Sequence, residues 1–250
     1  MSDFDRGSTR PAPAIVDMAV DAGLRSFMLG VYNKMAMGLL VSALLAWVTG
    51  FYEPVRNVLY VINPVTGGLR GFTLAGNIVS FLPLVAMVAM LFVMRKASPR
   101  AANLLYWGVV ASIGAGLGAW ALMYTLDSVF MTFLITAGSF GALSLFGYST
   151  KRDLTGLGSF MIMGLFGIII ASLVNMFLNL PGLYLIINIL GVLIFAGLTA
   201  YDTQRLKMTY YQVGGDQAGL SVATSYGAMT LYLDFVNLFL FLLRLFGSRR

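Results

Sequence analysis

The sequence predicts an all-α membrane protein of about seven transmembrane helices, and three observations predict it. At 250 residues the chain is 59% hydrophobic and 10% charged, with a mean hydropathy of +0.85, more apolar surface than one water-soluble core can bury. Its apolar blocks are long and unalternating, whereas a membrane strand needs about 10 residues of strict alternation and a helical span roughly 20 apolar residues. Between the blocks stand turn residues: Asn63-Pro64 with Gly67-Gly68, Ser98-Pro99, Asp127-Ser128, Pro181-Gly182 and Gly214-Gly215, placed where irregular backbone facing lipid would be costly.

Residues 1–26 read as a polar tail. Its first part, MSDFDRGSTRPAP, carries acids and lacks a small-residue cleavage site, unlike a secretory signal peptide, so the first span is expected to be retained. Residues 14–26 place Ile15, Met18, Ala19 and Ala22 on one face and pair Asp21 with Arg25 at i, i+4, the pattern of a short interfacial helix. The membrane domain follows as 27–250, with spans expected at Phe27 to Phe51, Ile78 to Met94, Asn103 to Tyr124, Val129 to Tyr148, Gly156 to Leu178, Leu183 to Gln204 and Leu220 to Phe246. No second domain and no internal repeat is visible.

Loops after even-numbered spans hold Arg95, Lys96, Arg100, Lys151, Arg152, Arg205 and Lys207, against Arg56 and Arg70 after odd-numbered ones. The positive-inside rule then makes the amino terminus cytoplasmic. The tail fits badly: seven spans send it outward, yet it carries Arg249 and Arg250 with Arg244 close by. Either the internal loops outvote it or the last segment enters without crossing. Glycines concentrated in the spans, such as Gly114, Gly116 and Gly118, Gly138 with Gly141, and Gly164 with Gly167, read as close helix packing.

The chain has no cysteine and no histidine, which removes disulfides, thiolate or imidazole metal sites and any nucleophile that needs a His base. A pI near 9.7 does not point to nucleic acid, because the basic residues sit at the ends of apolar blocks instead of forming a stripe interleaved with aromatics. No enzyme chemistry is visible, and no cofactor is expected.

Of ten acidic residues, Asp3, Asp5, Asp17 and Asp21 lie in the tail, and Glu53, Asp127, Asp153 and Asp216 in loops or at span ends. Only Asp202 and Asp234 remain inside apolar blocks, on consecutive spans, where an ionisable group costs several kcal/mol unless it finds a cavity or a partner. If the sixth helix continues through Tyr211, the two carboxyls sit at depths differing by roughly 7 Å, which tilt can absorb. Two carboxyls in a site of low dielectric cannot readily both ionise and instead share a proton, which makes the pair a proton-sensitive contact between helices; a static contact fixing helix register is the plainer alternative. Arg95, closing the second span on the same face, is within reach of Asp202, although a snorkelling residue fits it as well. Lys34, early in the first span, reads as snorkelling.

The segments Gly197-Leu-Thr-Ala-Tyr-Asp202-Thr-Gln-Arg-Leu206 and Ser225-Tyr-Gly-Ala-Met-Thr-Leu-Tyr-Leu-Asp234-Phe-Val-Asn-Leu-Phe239 resemble the Bax-inhibitor family, the transmembrane Bax inhibitor motif proteins, and the chain looks like a bacterial member. The resemblance implies six helices surrounding a central seventh and a pH-sensitive calcium leak of the bacterial inner membrane. It implies that Asp202 and Asp234 form the proton-sensing dyad, with transient contact to the permeant Ca2+, and that Arg95 pairs with the first carboxylate as a latch. Some relatives carry an acid within the second span; Ile78 to Met94 has none, and Leu84 stands near its place, so a cation path relying on that acid is not implied here.

Other readings are a non-conducting regulator that binds membrane proteins, among them a quality-control protease, and a proton-coupled secondary transporter, which would show repeats with broken helices. An intramembrane aspartyl protease also pairs two aspartates, one in a Tyr-Asp like Tyr201-Asp202, but needs Gly-x-Gly-Asp where Asp234 follows Leu-Tyr-Leu. A rhomboid-type serine protease needs a histidine.

Overall fold

Among the described residues ten elements form, because seven long apolar blocks are separated by strong stops, with one turn region long enough to fold on its own. The computed structural model describes residues 22–64, 67–93 and 98–250, without the side chains of 83, 84 and 86–93. In chain order the elements are α1 (Ala22–Phe51), α2 (Glu53–Leu59), β1 (Tyr60–Ile62), β2 (Leu69–Phe72), α3 (Leu74–Val93), α4 (Pro99–Met123), α5 (Leu126–Ser149), α6 (Thr155–Leu178), α7 (Pro181–Val213) and α8 (Gln217–Phe246). Among the described residues, six helices are long and apolar enough to cross a membrane: α1 and α4 to α8. The remaining expected span corresponds to α3, 20 residues long.

The stops work as their residue types dictate. Ser98 accepts a hydrogen bond from the Ala101 N–H ahead of Pro99 and opens α4; the Asp216 carboxylate accepts from the N–H groups of Ala218 and Gly219 and opens α8. Gly214, at φ 60°, ends α7 in the left-handed conformation that glycine adopts without strain.

Two expectations need correcting. The break between an interfacial helix and the first span is absent at Phe27, because α1 is already helical from Ala22; Leu24, Met28, Val31, Met35, Gly38 and Ser42 continue one buried stripe across it. The rest of the expected interfacial helix, including Asp21, lies outside the described residues. The loop after α1 is also more than turns: α2 precedes an antiparallel hairpin pairing Tyr60 with Phe72 and Val61 with Gly71, and Tyr60 is buried against Phe72 at 5.7 Å between ring centroids.

The bundle is organised around α8, which packs against α1, α4, α5 and α7 and is buried nearly all round. α3 packs chiefly on α4, and α6 chiefly on α7. α1 and α4 lie close because small residues face each other: a Cβ on Gly114 would stand 2.7 Å from the Ser42 Cα, and one on Gly118 would meet Thr49.

The bundle has two ends. One carries the hairpin and the α4–α5 turn; the other carries the α5–α6 loop, clamped on α7 where the Leu154 N–H donates to Gln204, and the Gly214-Gly215 turn. The residues after α8 lie at the hairpin end: the Thr125 N–H donates to the Ser248 carbonyl (3.0 Å) and the Arg250 N–H to that of Met123 (3.1 Å), and Arg249 donates to the Tyr184 hydroxyl at the start of α7. α8 therefore runs from one end of the bundle to the other.

Candidate functional site: a carboxyl pair between α7 and α8

Two close approaches fix how α7 meets α8. Gly191 leaves room for the Phe241 ring toward the hairpin end, and Gly227 leaves room for Leu206 toward the other. In this antiparallel register Asp234 stands level with residues 198–199, so its Cα is offset from that of Asp202 by three to four residues, roughly 5 Å along the axes. Side-chain reach closes the gap, and the two carboxyl groups meet. Asp202 is 8% exposed and Asp234 4%.

Neither group can donate a hydrogen bond while ionised, so a bond between them requires a proton on one. Asp234 is the more deeply buried of the two, and its Oδ2 has no hydrogen-bond partner. Arg205, one turn further along α7, is a cation that acts on Asp202. It counted in the sequence only as a topology charge, and its i+3 spacing from Asp202 was the signal that could have revealed it. Arg95, the expected latch, lies outside the described residues.

Buried hydroxyls tie both carboxyl-bearing helices to α1. Beside Asp202, Thr203 hydrogen-bonds Ser144 of α5 at 2.9 Å, and Ser144 hydrogen-bonds Tyr32 of α1. Two residues before Asp234, the Tyr232 hydroxyl meets Ser42 of α1 at 2.7 Å, and Ser42 donates to the Val110 carbonyl of α4 at 3.1 Å. Sequence reasoning missed all of these; isolated hydroxyls within apolar spans were the available signal.

Lys34 turns inward instead of snorkelling. Its ammonium donates to Asn103 of α4 and Ser225 of α8, both at 2.7 Å, and lies 5.1 Å from the Tyr106 ring centroid. It joins three helices where a headgroup contact was expected.

Among the described residues no group of three or more acidic, His or Cys side chains could hold a metal. Two carboxyls fall short of the six to eight oxygens of a resident calcium site, so they could touch a passing cation only with carbonyls or water completing its shell.

The family described as "Inhibitor of apoptosis-promoting Bax1" matches residues 24–250. A protein of Caulobacter vibrioides is 56% identical over 251 residues, covering 100% of both chains. The Rickettsia prowazekii protein RP147 is 42% identical over 230 residues, 92% of each chain. The inner membrane protein YbhL of Escherichia coli K12 is also 42% identical over 230 residues, 92% of this chain and 94% of its own.

Proposed function

Because the chain belongs to the Bax inhibitor family, we propose that it is a proton-regulated cation leak, with calcium as the permeant ion, gated by the Asp202–Asp234 pair. The observation that carries this reading is the contact of two buried carboxyls on neighbouring helices, with Asp234 Oδ2 buried and without a hydrogen-bond partner. We assign it to the bacterial inner membrane, as in the name of its Escherichia coli relative, with the amino terminus cytoplasmic by the charge count.

The mechanism follows from charge. With one proton between them the pair keeps a single negative charge, which holds a cation: the Arg95 latch that the family resemblance implies, with Arg205 beside it on α7. A second proton neutralises the pair, removes that attraction and lets the helices part, so acidification favours opening. The carboxyls, bare of other acids, contact the ion only in passing.

The test is calcium flux into proteoliposomes holding the full chain, from about pH 5.5 to about 8.5, a range wide enough to cover both steps of a coupled pair. The native protein is compared with Asp202→Asn and Asp234→Asn. A leak that rises on acidification and loses its pH dependence in either variant supports the reading. Identical flux in all three, or none, removes it and favours a non-conducting regulator of membrane proteins. Arg95→Ala separates the latch from the pair: unchanged pH dependence and rate would discard the latch alone.

A further inference from the structure

We infer that the hairpin end of the bundle holds a binding site for a phosphate-bearing anion, built by Arg70, Arg249 and Arg250. These residues line a cleft of about 340 Å³ between the hairpin and the residues after α8, together with the apolar Leu69, Leu122 and Met123. Residues 70 and 249 are far apart in sequence, so the fold alone brings these charges together.

The arginines are held by backbone structure. Arg70 lies on β2 of the hairpin. Arg249 forms an antiparallel bridge with Tyr124, and its guanidinium lies 5.8 Å from the Tyr124 ring centroid. The Arg250 N–H donates to the Met123 carbonyl. Main-chain bonds therefore fix the approach of all three, and little backbone entropy remains to be lost on binding.

Among the described residues no carboxylate side chain lines the cleft; Glu53 and Asp127, at this end, open α2 and α5 instead. The groups acting on Arg249 are the hydroxyls of Tyr124 and Tyr184. Three arginines gathered at one cleft with no acidic side chain among its lining residues suit the oxygens of a phosphate, which a guanidinium can grip through two N–H donors. Depth favours the same ligand. α4, of 25 residues, is about 37 Å long against a hydrocarbon core of about 30 Å, so its end at Met123 falls in the headgroup layer. The apolar floor suits the glycerol and upper acyl chain of a lipid, whereas a soluble phosphate would use the arginines alone.

The test uses the purified full chain, stripped of lipid in detergent and titrated separately with short-chain phosphatidylglycerol, short-chain phosphatidylcholine and inorganic phosphate. Binding is read by native mass spectrometry and by the shift in melting temperature. We expect phosphatidylglycerol to bind in preference to phosphatidylcholine, and the Arg70→Gln/Arg249→Gln double variant to weaken it about tenfold, a loss of two charge-assisted contacts. Arg56→Gln, a charge change at the same end but outside the cleft, should leave it unchanged. Arg250→Gln, which breaks no aromatic contact, gives a second reading should the double variant melt early. Inorganic phosphate that binds and displaces the lipid identifies the ligand as any phosphate; phosphate that does neither identifies a headgroup. The site is overturned if the native chain shows no preference for either phosphate probe, or if Arg56→Gln weakens binding as much as the cleft variants do.

Discussion

α6 and α8 are both apolar enough to span a membrane, yet they occupy opposite environments. The most apolar stretch of α6 has a mean hydropathy of 2.3 and is 11% buried, whereas that of α8 has a mean hydropathy of 1.7 and is 50% buried. On α6 only Gly158 and Ile168 are buried, and Met163, Phe166, Ile170 and Phe177 are exposed. On α8 the buried set includes Ser225, Tyr232 and Asp234. With lipid as solvent, the usual rule turns over: the more apolar helix faces outward, because hydrocarbon rewards it there, and the polar side chains go inside, where only protein can satisfy them.

The largest effect that would sharpen this contrast is steric. Gly114→Ala puts a methyl group against the Ser42 backbone inside the bundle, and its expected cost is about 2–3 kcal/mol. Gly167→Ala on α6 meets nothing and should leave stability unchanged or raise it by about 0.5 kcal/mol through helix propensity. Reversible unfolding in mixed micelles measures both; equal losses would break the comparison.

Next in size is the buried hydroxyl. Tyr232→Phe removes the bond to Ser42 and should cost about 1 kcal/mol in the same measurement. Ser172→Ala on α6, whose hydroxyl only turns back to the Ile168 carbonyl of its own helix, should cost close to nothing.

The smallest effect lies in the α5–α6 loop. Asp153 accepts hydrogen bonds from Thr155, which hold its carboxyl below the usual range near 3.8. A depressed carboxyl contributes stability that is present above its unfolded value and lost as pH falls through the folded one. Asp153→Asn should therefore match the native chain below about pH 3 and differ slightly above about pH 4, in a melting series across that window. A larger gap at acid pH than at neutral pH would reverse the assignment.

The sequence carried the long helices well, because each needed only an apolar block and a stop; the ends lie within a few residues of expectation except at the extension of α7 to Val213, raised only as a condition, and the early start of α1. It carried the carboxyl pair because an acid inside an apolar block is conspicuous at a single position. α2 and the hairpin escaped because seven, three and four residues are too few to show a period. Tyr32, Ser42, Ser144 and Thr203 escaped because hydroxyls are ordinary in spans and become informative only in pairs. The cleft at Arg70 and Arg249 had no local signal, since its two sides meet only after the last helix is in place.

The helix at the centre is also made after the six long helices that pack around and beside it. Until α8 arrives, Ser42 lacks Tyr232, Lys34 lacks Ser225, and Asp202 is without the carboxyl that faces it. A chain stalled before residue 217 therefore lacks the α8 partners of three polar groups, which lipid cannot replace.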